Sequence, residues 1–228
     1  METNREQWIS LHKNGRYRPK YPAEIVVQFV FRNFPRDGKT KILDLGCGAG
    51  RHIFFMGNEN IIPYGIDFSD EGIAYIQKML MKYGMDKYVV NMQVGNLTDL
   101  PYTENFFDGI ICYGTLYYLR TSEIEKAINE IWRVLKPGGR LLLVVRTIND
   151  YRYDIKNEVQ GEKNTIIVCE KNVNRCAHSE DGMIMHFFER EELARYFSKF
   201  HNVSIDINEE THNNQQFCDS NYILMAEK

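Results

Sequence analysis

Short apolar runs alternate with amphipathic ones over most of the chain. Lys41 to Leu45 is apolar and is followed at once by glycines, which predicts a first strand running into a tight turn. Ile61 to Ile66 predicts a second strand, closed by Asp67. From Ser69 to Tyr83 the apolar residues Ile73, Ile76, Met79 and Leu80 fall on one helical face; Ser69 or Asp70 can cap that helix and Gly84 ends it. Tyr88 to Val94 and Phe107 to Tyr113 predict a third and a fourth strand. A helix follows over Ser122 to Leu135, with Ile124, Ala127, Ile128, Ile131 and Leu135 at helical spacing. Lys136-Pro137-Gly138-Gly139 stops it and turns the chain. Arg140 to Val145 is continuously apolar, as strands buried on both faces are. This alternation predicts βαβ units around a parallel sheet, an α/β fold.

The rhythm breaks after Arg146. Residues 147–185 are rich in Asn, Asp, Glu and Lys and read as an insertion or lid. A helix is expected over Glu189 to Phe200, then two strands near Val203 to Ile207 and Tyr222 to Ala226. At the other end, Tyr21 to Phe34 reads as a helix, and Trp8 to Lys20 as a segment covering the site. The expected organisation is one domain over 1–228, with an N-terminal cap (1–36) and the lid insertion (147–185).

Composition narrows the picture. At 43% hydrophobic and 13% aromatic, the chain can bury a sizeable core. Its net charge of -3 and the lack of a basic run argue against a nucleic-acid partner. The opening METNREQWIS carries charges where a secretion signal needs apolar residues, and Leu141 to Val145 is too short to span a bilayer. A cytoplasmic protein with no membrane partner is expected. Its cysteines (Cys47, Cys112, Cys169, Cys176 and Cys218) show no framework spacing and are expected to be free thiols.

The most informative stretch is Ile42-Leu43-Asp44-Leu45-Gly46-Cys47-Gly48-Ala49-Gly50, a glycine-rich turn between a strand and a helix. Glycines let a backbone turn tightly and approach a ligand, and a helix start presents free N–H groups to it. The stretch resembles motif I of the class I S-adenosylmethionine-dependent methyltransferases. A nicotinamide dehydrogenase would show G-x-G-x-x-G; here the spacing is G-x-G-x-G, and Arg51 stands at that third glycine. Asp67 lies at the end of the second strand, where a carboxylate can accept both hydroxyls of a ribose; its bland alternative is a helix cap. Val94-Gly95-Asn96-Leu97, the fourth-strand block ending Cys112-Tyr113, and Arg133-Val134-Leu135-Lys136-Pro137-Gly138-Gly139 resemble later blocks of the same family, in the same order.

The resemblance implies a Rossmann-like doubly wound sheet, mostly parallel with an antiparallel last strand. It also implies S-adenosylmethionine as cofactor, with S-adenosylhomocysteine as product. The residues it assigns to the cofactor are Asp44, Gly46, Cys47, Gly48, Gly50, Asp67, Phe68, Asn96, Leu97, Cys112 and Tyr113. Asp44 takes the place of the family's acidic residue near the cofactor amino group. Asn96 stands where Asp is usual, and its amide oxygen can still accept from the adenine.

Displacement at a sulfonium methyl needs alignment more than acid–base chemistry, so no catalytic signature has to exist. The Asn/Asp-Pro-Pro-Tyr block of amino-methylating DNA enzymes is replaced by Cys112-Tyr113-Gly114-Thr115, and neither a Pro-Cys nucleophile nor acidic metal ligands follow the fourth strand. A small-molecule acceptor is expected by elimination. The catalytic candidates are Tyr117, Tyr118 and His186, against the bland reading that each packs the structure. Tyr17, Tyr21 and Arg146 are candidates for acceptor binding, with Tyr151 and Tyr153 more simply read as lid packing; Arg146 can hold a carboxylate or pair with a neighbouring acid. Cys169, Cys176 and His178 match no common zinc spacing, and no metal is expected. The rivals are a non-catalytic cofactor-binding protein and, further off, a dinucleotide oxidoreductase. Oligomeric state is not readable.

Overall fold

The structure is a computed structural model that describes residues 2–13 and 18–228. Among them the central sheet has seven strands in the order β3-β2-β1-β4-β5-β10-β9. These are β1 (Lys41–Leu45), β2 (Ile62–Asp67), β3 (Met92–Val94), β4 (Phe107–Tyr113), β5 (Leu135–Arg146), β9 (His201–His212) and β10 (Phe217–Glu227). The first five pair in parallel; β10 runs antiparallel to both β5 and β9. This is a Rossmann-like α/β sheet, mostly parallel, with an antiparallel last strand.

Helices α1 (Glu2–Lys13), α2 (Glu24–Asn33), α3 (Arg51–Asn58), α4 (Asp70–Lys82), α5 (Thr121–Val134) and α6 (Arg190–Tyr196) accompany the sheet. The amphipathic pattern explains the two longest connecting helices. In α4, Ile73, Ile76 and Leu80 are buried, and Ser69 Oγ caps the start by accepting from the Gly72 N–H at 3.1 Å. In α5, Ile124, Ala127, Ile128, Ile131 and Val134 form the buried stripe, and Glu123 accepts the Arg120 N–H at 3.1 Å.

Three expectations change. Tyr88 to Asn91 is not strand but part of a 3₁₀ stretch over Asp86–Asn91, leaving β3 three residues long. The Tyr88 N–H bonds back to Met85 and its ring is buried, so a local turn overrides the β propensity of Tyr-Val-Val. Lys136 to Gly139 is not a loop: α5 passes directly into β5, and the glycines tie to the chain end through Gly138 N to Lys228 O at 2.7 Å. Residues 147–185 are not a polar excursion. They contain β6 (Lys156–Glu158) and β7 (Thr165–Val168), which with β8 (Ile184–His186) make a small antiparallel sheet. Ile166, Val168, Ala177 and Met185 are fully buried in the same cluster as Leu43 and Leu143. The segment's polar residues occupy its turns and ion pairs, which hid its short buried runs.

Candidate active site

The carboxyl ends of β1, β2, β4 and β5 open on one cavity of about 640 Å³, roofed by α1. Parallel α/β sheets offer their ligand sites at this edge. The volume falls within the roughly 300–1,000 Å³ typical of small-molecule pockets.

The first wall is the turn after β1. Gly46, Gly48 and Gly50 have φ of 73°, 52° and 86°, left-handed values that side chains resist. At Gly46 the constraint is also steric, since a Cβ would lie 2.2 Å from Thr115 Oγ1. The N–H groups of Gly46 and Cys47 bond Ile66 O at 2.8 and 3.2 Å, locking the turn to β2. Asp67 fastens the two loops: Oδ2 accepts from the Gly48 N–H and Oδ1 from the Ser69 N–H, both at 2.9 Å. Burial pushes the Asp67 carboxyl upward, against the pull of these N–H groups and of His12. Each oxygen keeps lone pairs, and Asp67 lines the cavity beside Phe68, Asn96 and Leu97. Asn96 Oδ1 also accepts the Thr98 N–H at 3.1 Å, so its own turn shares the oxygen meant for an adenine.

Several sequence candidates stand behind the wall rather than on it. Asp44 is buried and faces His52: the Ala23 N–H donates to His52 Nε2 at 3.5 Å, so Nδ1–H donates to Asp44 at 3.2 Å. His52, not Asp44, reaches the cavity. Gly50 caps α3, and Cys112 is enclosed, with burial pushing its thiol up to about 12. Cys47 borders the cavity, but burial and the nearby Asp67 and Asp44 hold it well above the usual thiol range. Tyr21 is 72% exposed and lies outside the cavity lining. His186 does not face the cavity either: Nδ1 meets Thr165 Oγ1 at 2.8 Å and Nε2 meets Glu192 at 3.1 Å, so this buried ring is a strut. Tyr17 and Arg16 lie outside the described residues, as does the side chain of Cys176.

The far end of the cavity carries the other candidates. Tyr113 lines the passage beside Gly114. Tyr117 and Tyr118 are held with ring centres 4.5 Å apart, and the Tyr118 hydroxyl donates to Glu180 Oε1 at 2.8 Å. Burial, followed by the Glu180 charge, pushes the Tyr118 hydroxyl well above the usual phenol range, so it stays protonated. Arg146 lies over the Tyr117 ring at 5.1 Å and donates to Asp150 Oδ2 at 2.6 Å. Arg152, 1% exposed, donates from Nε to Glu180 at 2.5 Å and from Nη1 to Asp150 and Asp219. Of the two readings of Arg146, pairing with acids is the one realised. Tyr151 and Tyr153 sit behind this end against the core; the Tyr151 hydroxyl accepts the Ala177 N–H, and Tyr153 donates to Asn164.

The roof comes from the N-terminal segment, as expected of Trp8 to Lys20, but it begins earlier, at Asn4. Asn4 on α1 bonds like a strand neighbour: Nδ2 donates to Tyr118 O and Ile184 O, while Oδ1 accepts the Ile184 N–H. Trp8 sets its ring edge-on to Tyr118 at 5.2 Å. His12 is buried over Gly48, and its Nδ1 has no partner among the described residues. Nothing in the sequence singled out Asn4, His12, Glu180 or Asp219. Their partners lie far along the chain, 180 residues away for Asn4 and Ile184.

A family profile described as a methyltransferase domain matches residues 43–143, the stretch from β1 into β5. A demethylmenaquinone methyltransferase of Symbiobacterium thermophilum is 33% identical over 54% of this chain and 47% of its own length. A tRNA N(3)-cytidine methyltransferase of Bos taurus is 30% identical over 75% of this chain and 44% of its own. The chain therefore spans about half the length of the curated relatives it matches. A crystal structure of an S-adenosylmethionine-dependent methyltransferase from Methanosarcina mazei superposes with a TM-score of 0.69, covering 91% of this chain and 98% of that one at 22% identity. At that identity the likeness is one of fold.

Proposed function

From a chain that belongs to the class I S-adenosylmethionine-dependent methyltransferases, we propose an enzyme that methylates a small molecule in the cavity under α1. S-adenosylmethionine is the cofactor of this family. When bound, it supplies a sulfonium methyl group: the acceptor's lone pair forms the new bond, the S–CH₃ pair returns to sulfur, and S-adenosylhomocysteine remains. The residues present suit it. Three positive-φ glycines open the turn after β1, and Asp67 offers lone pairs to a diol at the end of β2. Phe68, Asn96 and Leu97 form a slot for a flat base, and the α3 start adds N–H groups for a carboxylate.

The observation that carries the acceptor reading is the continuity of one roofed cavity. It runs from the Gly46 turn to the cluster of Tyr117, Tyr118, Arg146, Arg152 and Glu180. The protein's work there is to hold the acceptor, exclude water and aim its lone pair. No general base is assigned, since Tyr118 is held protonated and Glu180 is engaged by Arg152 and Tyr118. A relative acting on tRNA makes RNA the alternative acceptor. The carboxylates of Asp150, Glu180 and Asp219 around the far end, and the α1 roof, favour a small molecule over a polyanion. Among the described residues no helix is long and apolar enough to cross a membrane. The reading places the reaction in the cytoplasm, where thiols such as Cys169 and Cys218 stay reduced.

Calorimetric titration with S-adenosylhomocysteine and NADH, followed by turnover on a panel of metabolites, tests the proposal. S-adenosylhomocysteine should bind and NADH should not, and at least one metabolite should gain a methyl group. Tight binding without turnover on any class of acceptor would instead support a cofactor-binding protein.

A further inference from the structure

We propose that β9 is an interaction surface for a second copy of this chain. Two sheets join there edge to edge and antiparallel, with Ile205 of one copy facing Ile205 of the other.

Strand β9 ends the central sheet, and among the described residues nothing pairs with its outer side. It is twelve residues long and exposed along its length except at Ile205. It holds no proline and no lysine. Edge strands are ordinarily blunted by shortness, proline or lysine; the opposite edge, β3, is three residues long. The direction of the free backbone groups follows from β10. The Thr147 N–H donates to Ser220 O and the Lys228 N–H to Gly139 O, both at 3.0 Å. Even-numbered residues of β10 therefore point their backbone groups at β5, and odd-numbered ones at β9. The odd-numbered residues meet Ser204, Asp206, Asn208 and Glu210. Val203, Ile205, Ile207, Glu209 and Thr211 are left with their N–H and C=O groups turned outward. The Ile205 carbonyl bears this out, since it accepts from Arg190 Nη1 at 2.5 Å rather than from β10. It keeps a second lone pair for a neighbouring strand.

The side chains choose the occupant. Val203, Ile205 and Ile207 share one face of β9; Val203 is 37% and Ile207 54% exposed, while Ile205 packs on the cluster that holds Leu224. Set a second β9 antiparallel about Ile205. Val203 then meets Ile207 twice, Ile205 meets its own copy, and His201 faces Glu209 at both ends. On the other face Asp206 meets Ser204 and Asn202 meets Asn208. Apolar pairs with apolar, and Asp206 and Glu209 each gain a hydrogen-bond donor. Moving the centre by one residue destroys the match. About Asp206, the two Asp206 carboxylates oppose each other and Val203 meets Glu209. About Ser204, Ile207 meets His201 and Glu209 runs past the end of the other strand. The complementarity thus belongs to a single register of the chain with itself.

Sedimentation velocity on the full chain, from micromolar concentration upward, should show a monomer–dimer equilibrium. Ile207→Lys should weaken association by roughly tenfold or more, because each dimer holds the altered pair twice, and should leave the circular dichroism spectrum unchanged. Cross-linking reads the register. Ile205→Cys should yield a disulfide-linked dimer on oxidation in air, since antiparallel partners lie about 5.5 Å apart and disulfides span about 4.4–6.8 Å between Cα atoms. Ile207→Cys, which faces Val203, should cross-link no more than the parent, whose Cys169 and Cys218 set the background. A parent chain that stays monomeric throughout would overturn the inference and leave the edge to a different partner. So would a dimer that survives Ile207→Lys, or cross-linking through Ile207→Cys in place of Ile205→Cys.

Discussion

Gly46 shows how a single position can be fixed twice, by torsion and by space. Its φ of 73° disfavours any Cβ, and a Cβ there would lie 2.2 Å from Thr115 Oγ1 and 2.3 Å from Cγ2. Gly46→Ala should therefore cost about 2–5 kcal/mol in a urea melt, summing the left-handed penalty and overpacking. Adding Thr115→Ala should recover part of the loss and leave the torsional part. A Gly46→Ala chain as stable as the parent would refute the steric account. Asp67 carries a different burden, because it both braces the Gly48 loop and lines the cavity. Asp67→Ala should lower S-adenosylhomocysteine affinity roughly ten- to a hundredfold, as the loss of charged hydrogen bonds worth about 1.5–3 kcal/mol does. Unchanged affinity in a folded variant would reduce Asp67 to a brace. Both residues were legible in the sequence, since glycine spacing and a carboxylate at a strand end are local signals. Asp44 was legible as an acid but not as a partner of His52, because that pairing is made across a turn.

Among the elements, α1 is the one whose role the sequence hinted at without locating. It touches both the domain matched by the family profile and the inserted sheet, through Trp8 on Tyr118 and Asn4 on Ile184. His12 makes its docking sensitive to pH. Burial lowers the His12 pKa from 6.5 and Arg18 adds to this, while Asp67 and Glu71 pull it upward without reversing the shift. Docked α1 thus holds His12 neutral, and undocked α1 lets it take a proton as pH falls below about 6.5. Docking should weaken on acidification and be insensitive to pH above that range. In a Trp132→Phe background, acrylamide quenching of Trp8 should rise between pH 7.5 and pH 5.5, and His12→Gln should flatten the profile. A flat profile in the His12-containing chain would contradict this. The inserted segment is anchored by charge as well as by its apolar residues. Arg152→Met leaves Asp150, Glu180 and Asp219 with Arg146 as their one remaining arginine, and should destabilise the chain by about 3–5 kcal/mol in chemical denaturation, as breaking a buried pair does. A loss below 1 kcal/mol would show that the cluster does not anchor the segment. The long amphipathic helices were read well because their period repeats many times. The three-residue strands β6 and β8 were missed, and β3 was drawn too long, because a period of two cannot announce itself over so short a run.

At the scale of the whole molecule, the parallel half of the sheet supplies the edge proposed for the cofactor. The segments outside the matched domain, α1 and the stretch beyond Arg146, enclose the far end. That division explains why the cofactor half was readable from ordered motifs while the acceptor half was not. The cluster at the far end is assembled from residues as far apart as Asn4, Tyr118, Glu180 and Asp219, which come together only when the chain is folded. It also sets the central claim, that the acceptor is a small molecule. The direct measurement is to incubate the protein with methyl-labelled S-adenosylmethionine and a cell extract, then separate metabolites of low mass, RNA and protein. The label should accumulate in the low-mass fraction, in step with S-adenosylhomocysteine released. Label recovered instead in RNA or protein, with none in the low-mass fraction, would contradict the account.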